Sequence, residues 1–69
     1  SEIKKFATGK GNANKEKMYE AFVTETGIDL QDEMTPTAKK VGNPVSDIVD
    51  AYYICKLLHS KIIPVETEQ

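Results

Sequence analysis

The sequence predicts a mostly helical α/β chain, one short strand followed by two main helices, that is short of the core it needs. Three observations predict it. Glu2–Thr8 is a brief segment holding Ile3 and Phe6 and bounded by Gly9, which reads as an edge or terminal strand. Asn12 or Asn14 can cap a helix that runs to about Thr26, with Gly27 as its stop. Asn43-Pro44 then opens a third element, with Asn as cap and Pro at the first helical position, and this helix should reach about Ser60, before Pro64 and a polar tail.

Each element carries its own pattern. In the second, Met18, Ala21, Phe22 and Glu25 share one face, which Tyr19 and Val23 widen, so the helix is half-buried and amphipathic. Ile28 to Gly42 holds Asp29, Asp32, Glu33 and Pro36 among few apolar anchors and reads as a loop with one short helical turn around Thr37–Val41. In the last, only Asp50 and Lys56 interrupt the apolar, aromatic, Ala and Cys residues between Ile48 and Leu58. A helix apolar nearly all round is buried on more than one side. A chain of 69 residues cannot readily bury it, because a domain this small hides only about 60% of its unfolded surface. The expectation is therefore a single domain portion, residues 1–69, whose core is completed by something else.

Composition narrows the chemistry. With 39% hydrophobic and 29% charged residues the chain falls in the range of soluble globular proteins. One cysteine and one histidine supply neither an internal disulfide nor a four-ligand structural zinc site. A free cysteine fits a reducing compartment, and no apolar run approaches the roughly 20 residues of a membrane helix. The net charge of −2 hides a gradient. Residues 1–17 carry five lysines against Glu2 and Glu16, residues 18–38 carry five acids and no lysine, and residues 39–69 balance at four of each. A basic front end of this kind suits phosphate, although a solvated charged surface has the same composition.

Two groups of residues have spacing that chemistry can use. Asp47 and Asp50 stand three apart, so on a helix they are neighbours on one face, roughly 5–6 Å between Cβ atoms. A hard divalent cation would relieve their repulsion and would balance an acid set among apolar residues. The plainer account is that first-turn acids complement the helix dipole, which explains Asp47 better than Asp50. Gly9-Lys10-Gly11 ahead of a helix offers backbone N–H groups to a phosphate, but it lacks the third glycine of a dinucleotide site and the Gly-Lys-Ser/Thr of a nucleotide P-loop. Cys55 and His59, four apart, make two metal ligands and no more, so Cys55 reads as core filling and His59 as a dipole partner. Tyr52 and Tyr53 read as packing residues.

In order, these features resemble a known family. Lys4-Lys5-Phe6-Ala7-Thr8-Gly9-Lys10-Gly11-Asn12-Ala13-Asn14-Lys15, leading into a helix, followed by Asp47-Ile48-Val49-Asp50-Ala51 on a final long helix, is similar to the carboxy-terminal part of RuvC-type Holliday junction resolvases, phage-encoded members in particular. The resemblance spans roughly residues 3–60 in two blocks. It implies a carboxy-terminal fragment of an RNase H-like fold, a mixed sheet flanked by helices, that cuts branched DNA as a homodimer with Mg²⁺ or Mn²⁺ in a cytoplasmic setting, a bacterial or phage-infected cell. Asp47 and Asp50 would then be catalytic as two of four metal-binding acids, and Lys4, Lys5, Lys10 and Lys15 would be DNA-binding. The two-metal site would exist only in the complete domain.

Two departures qualify what the resemblance implies. The strands that carry the family's other acids are not in this sequence, and the spacer from Ala13 to Asp47 is longer than the family pattern. Together with Ser1 in place of an initiating Met, this predicts a fragment holding half of a catalytic site, inactive without the amino-terminal part of its domain. The rival expectation is a small non-enzymatic helical module that dimerises through Ile48–Leu58.

Overall fold

Ser1 and Gly9 bracket the first element and make it a helix. The structure, a computed structural model, describes residues 1–62, and among these α1 spans Glu2–Thr8. The Ser1 hydroxyl accepts from the Lys4 amide at 3.2 Å, Glu2 lies in the positive first turn and Lys5 in the last. Gly9 adopts the left-handed conformation (φ 87°), and its amide donates to the Lys5 carbonyl at 2.8 Å. Ile3 and Ala7, one turn apart, are the α1 residues that pack on the core. The expected strand over Glu2–Thr8 is thus corrected to a helix. The α/β, RNase H-like class is corrected with it, since the described residues form four helices and no strand.

The second helix, α2, covers Lys15–Thr26. Asn14 is its cap, its side chain accepting from the Lys17 amide at 2.9 Å, and Gly27 ends it at φ 74°. A short α3, Leu30–Met34, occupies the acidic stretch. The expected helical turn at Thr37–Val41 therefore belongs at Leu30–Met34. Asp29 explains the shift, because its carboxylate caps the Asp32 amide at 3.1 Å and also accepts from the Tyr19 hydroxyl. The same hydroxyl accepts from the Gln31 amide at 2.9 Å, so α2 holds the start of α3 through one side chain.

The last helix, α4, spans Val45–Ile62. Pro44, joined to Asn43 by a cis peptide bond, lies just before it. The Asn43 side chain accepts from the Ser46 hydroxyl at 2.8 Å, which satisfies the one buried polar residue among the described residues. The sequence expectation concerning Pro64 and the tail lies outside the described residues.

One face of α4 organises the rest. Val45, Val49 and Tyr53, at successive turns, are almost wholly buried, and Met18 and Phe22 of α2 and Val41 of the preceding loop close over them. Helices α1 and α2 pack on each other and on α4, and α3 touches α4. Phe22 meets Tyr52 edge to face at 5.2 Å between ring centroids, and Tyr52 meets Tyr53 in the same way at 5.0 Å. Glu25 ties α2 to α4 by accepting from the hydroxyls of Tyr52 (2.6 Å) and Tyr53 (3.2 Å) and pairing with Lys56. The opposite face of α4 is open, with Ile48 38%, Ile54 41% and Leu58 52% exposed. The near-continuous apolar run is therefore buried on one side only within these residues, and no described helix is long and apolar enough to cross a membrane.

The two faces should respond differently to truncation. Tyr53→Ala removes a buried aromatic and should cost about 3–5 kcal/mol, enough to unfold a domain of this size. Leu58→Ala should stay within about 0.5 kcal/mol. Urea denaturation of both variants checks this, and equal losses would mean that the outer face of α4 is also part of the chain's own core.

Candidate phosphate and metal site

Three helices bring three of the sequence-predicted residues to one place. Lys4 on α1, Lys15 at the first position of α2 and Asp50 on α4 line a single cavity of 220 Å³, with Met18, Ser46 and Val49 as its remaining walls. The apolar walls belong to the core that fixes the helices, so the charged groups are carried on a packed base. Ion pairs among the described residues join Lys17 to Glu20, Lys56 to Glu25 and Lys61 to Glu2. Lys4, Lys15 and Asp50 enter none of these.

Asp47 is exposed, three residues before Asp50 and in the first turn of α4. Although its sequence neighbours are apolar, Asp50 is exposed too, where water can solvate it, so it needs no cation to balance burial. Two carboxylate oxygens on one helix edge suit a hard cation such as Mg²⁺ or Mn²⁺, which keeps several waters and takes one or two protein carboxylates. Among the described residues no third acid, histidine or cysteine joins them. Two carboxylates without a third ligand among the described residues fall short of a cation site.

The other predicted residues lie elsewhere. Lys5 is exposed on α1. Lys10 lines a separate open groove of 760 Å³ with Thr8, Asn12, Asn14 and Lys17. Two of the three amides of Gly9-Lys10-Gly11 are spent internally: Gly9 donates to the Lys5 carbonyl and Lys10 to the Thr8 hydroxyl at 3.1 Å, and beyond them Ala13 donates to the Lys10 carbonyl at 3.3 Å. A phosphate cradle built from those amides is thereby disfavoured, and Lys10 has only its side chain to offer. Cys55 is exposed, not core filling, and lies with His59 in an open apolar groove of 550 Å³ that also includes Ile48, Ala51 and Tyr52.

Sequence reasoning passed over Ser46 as a wall of the cavity and Glu25 as the link between α2 and α4. Glu25 had a visible signal, since it shares the face of Met18, Ala21 and Phe22 and so had to point at a neighbour. Ser46 had none. Comparison with family models, curated proteins and solved structures returns no match.

Electrostatics away from the cavity govern the hold on α3. The Tyr19 hydroxyl, then the Asp32 amide, hold the Asp29 carboxyl below its ordinary value of 3.8. Burial, then the bond to Asp29, raises Tyr19 above 10.0. A carboxyl depressed in the folded state stabilises the fold fully above its unfolded value, and this contribution is lost as pH falls through the folded value. Acidification below 3.8 should therefore release α3 from α2, visible in the NMR shifts of the Tyr19 ring. Ala in place of Asp29, which removes the acceptor, should show the released shifts at neutral pH with no transition in that range, and a transition unchanged in Asp29→Ala would contradict the assignment.

Proposed function

We propose that this chain is the part of a metal-dependent endonuclease acting on branched DNA that grips the phosphate backbone and supplies two carboxylate ligands. The observation that carries the reading is the convergence of Lys4, Lys15 and Asp50, distant in sequence, on one cavity. The resemblance of the Lys4–Lys15 and Asp47–Ala51 blocks to RuvC-type Holliday junction resolvases points the same way. It does so through side chains alone, and not through the α/β fold that the four helices replace.

In this reading the ammonium groups of Lys4 and Lys15 receive the oxygens of a phosphodiester, and Lys5 and Lys10 contact the backbone on either side. Asp50, with Asp47 beside it, holds Mg²⁺ or Mn²⁺. The cation, when bound, activates water and stabilises the leaving oxygen. The remaining acids come from outside the described residues, so cutting belongs to the complete protein, a homodimer if it follows the family. The chain has no arginine, so it lacks the fork that reads guanine, and its contacts position DNA without reading its sequence. A second reading, a helical module that associates through α4, is favoured by the exposed Ile48, Ile54 and Leu58.

Binding over a salt series separates the two. Lys15→Ala should weaken binding to two junctions of unrelated sequence by the same factor and lower the slope of log affinity against log salt by about 0.9. An unchanged slope would take Lys15 off the DNA path. In the complete protein, Asp50→Asn should abolish divalent-dependent cutting and leave junction binding intact, and a comparable cutting rate would remove Asp50 from the site.

A further inference from the structure

On the side of α4 that faces away from the core, Ile48, Ala51, Cys55, Leu58 and Ile62 follow one another at alternating steps of three and four, the spacing of a coiled-coil seam. All five are exposed, Ile62 at 73%. The seam is narrow in its middle, at Ala51 and Cys55, and broad on either side, at Ile48 and Leu58. The open apolar groove of 550 Å³ runs along one flank of it, from Ile48 to His59. Charge is graded along the same helix, with Asp47 beside the start of the seam and Lys61 beside its end. Asp47 enters none of the ion pairs within the described residues. Lys61 pairs with Glu2, but both side chains are more than half exposed, and a pair of that kind is weak and readily exchanged.

We propose that the chain self-associates as a symmetric antiparallel pair of α4 helices, joined along the Ile48–Ile62 seam and closed at each end by an ion pair between Asp47 and Lys61. This rests on the reading of the chain as a module that associates through α4, and it fixes the partner, the orientation and the register. With Ala51 level with the partner's Cys55, Ile48 falls level with the partner's Leu58. Small residues then meet small ones at the centre, where the helices approach closely, and large residues meet large ones on either side. The flanking positions bring Asp47 beside the partner's Lys61, twice by symmetry, with Ile54 beside the partner's Ile54 on the axis. The helix dipoles are opposed as well. Parallel pairing would instead set the two Asp47 residues at one level and leave Lys61 a seam's length away. The same patch serves both copies, so the assembly closes at two. Because the seam lies opposite Val45, Val49 and Tyr53, pairing leaves the core as it is. Two heptads bury little area, so the pair forms and parts reversibly with concentration.

Sedimentation equilibrium of the 69-residue chain from about 10 μM to about 1 mM, the span of weak interfaces, should show monomer passing to dimer. Asp47→Lys and Lys61→Glu each place like charges at both ends of the pair, and each alone should weaken association about fivefold or more. Mixed in equal amounts the two variants complement each other, and the mixture should associate within about twofold of the unchanged chain. Register is read by oxidation with copper phenanthroline. Cys55 and the partner's Cys55 stand roughly 6 Å apart along the axis before the gap between the helices is added, too far to bridge. The unchanged chain mixed with Ala51→Cys/Cys55→Ser should therefore form the mixed disulfide about fivefold faster than either like pair. Circular dichroism shows that each variant is folded, and either test decides alone. Association indifferent to both charge variants, a mixture that does not recover, or faster bridging between like chains would each overturn the antiparallel pair and leave association through α4 standing. A chain that stays monomeric throughout would overturn both.

Discussion

Val45, Val49 and Tyr53 stand at successive turns of α4, and the burial of this one stripe places everything else. Against it lie Met18 and Phe22 from α2, Val41 from the incoming loop, and Ile3 and Ala7 from α1. Few other apolar groups are fully buried, so the hydrophobic term is concentrated here, and a domain of this length has little stability to spare. Polar links reinforce the stripe at its edges: Glu25 joins α2 to the two tyrosines and Lys56, and Asn43 satisfies Ser46 at the start of α4.

That packing is also what assembles the candidate site. Val49 and Met18 are core residues and cavity walls at once. Displacing α1 from the stripe would carry Lys4 away from Asp50, and tilting α2 would carry Lys15 away. Stability and the placement of Lys4, Lys15 and Asp50 therefore depend on the same contacts. Ile48, Ile54 and Leu58 of α4 stay partly exposed, an apolar surface of the kind that marks interaction sites.

Where local rules are strong, the sequence could be read. Asn14 and Gly27 mark the ends of α2 because a cap and a left-handed glycine are chemically specific signals. The first element was harder. Seven residues with Ile3 and Phe6 fit neither period cleanly, and the deciding groups, Ser1 and Gly9, lie outside the segment they cap. In the acidic stretch the cap itself, Asp29 over the Asp32 amide, was a local signal for a helix at Leu30–Met34 that the reading of Thr37–Val41 passed over, and the bond from Tyr19 to Asp29 is the tertiary part that no local pattern shows. Around the site, helical spacing put Asp47 and Asp50 on one face, but which face of α4 would be covered depended on where α1 and α2 docked. The exposure of Asp50 and Cys55 follows from that docking and was not legible in the run itself.

The docking of α1 as a helix on α4 is the central claim, because it sets aside the α/β class and brings Lys4 to Asp50. Backbone chemical shifts and inter-residue NOEs of the chain measure it directly. The account predicts helical Cα shifts over Glu2–Thr8 and NOEs linking Ile3 and Ala7 to the core around Val45, Val49 and Tyr53. Extended shifts over Glu2–Thr8, or helical shifts without those NOEs, would contradict it.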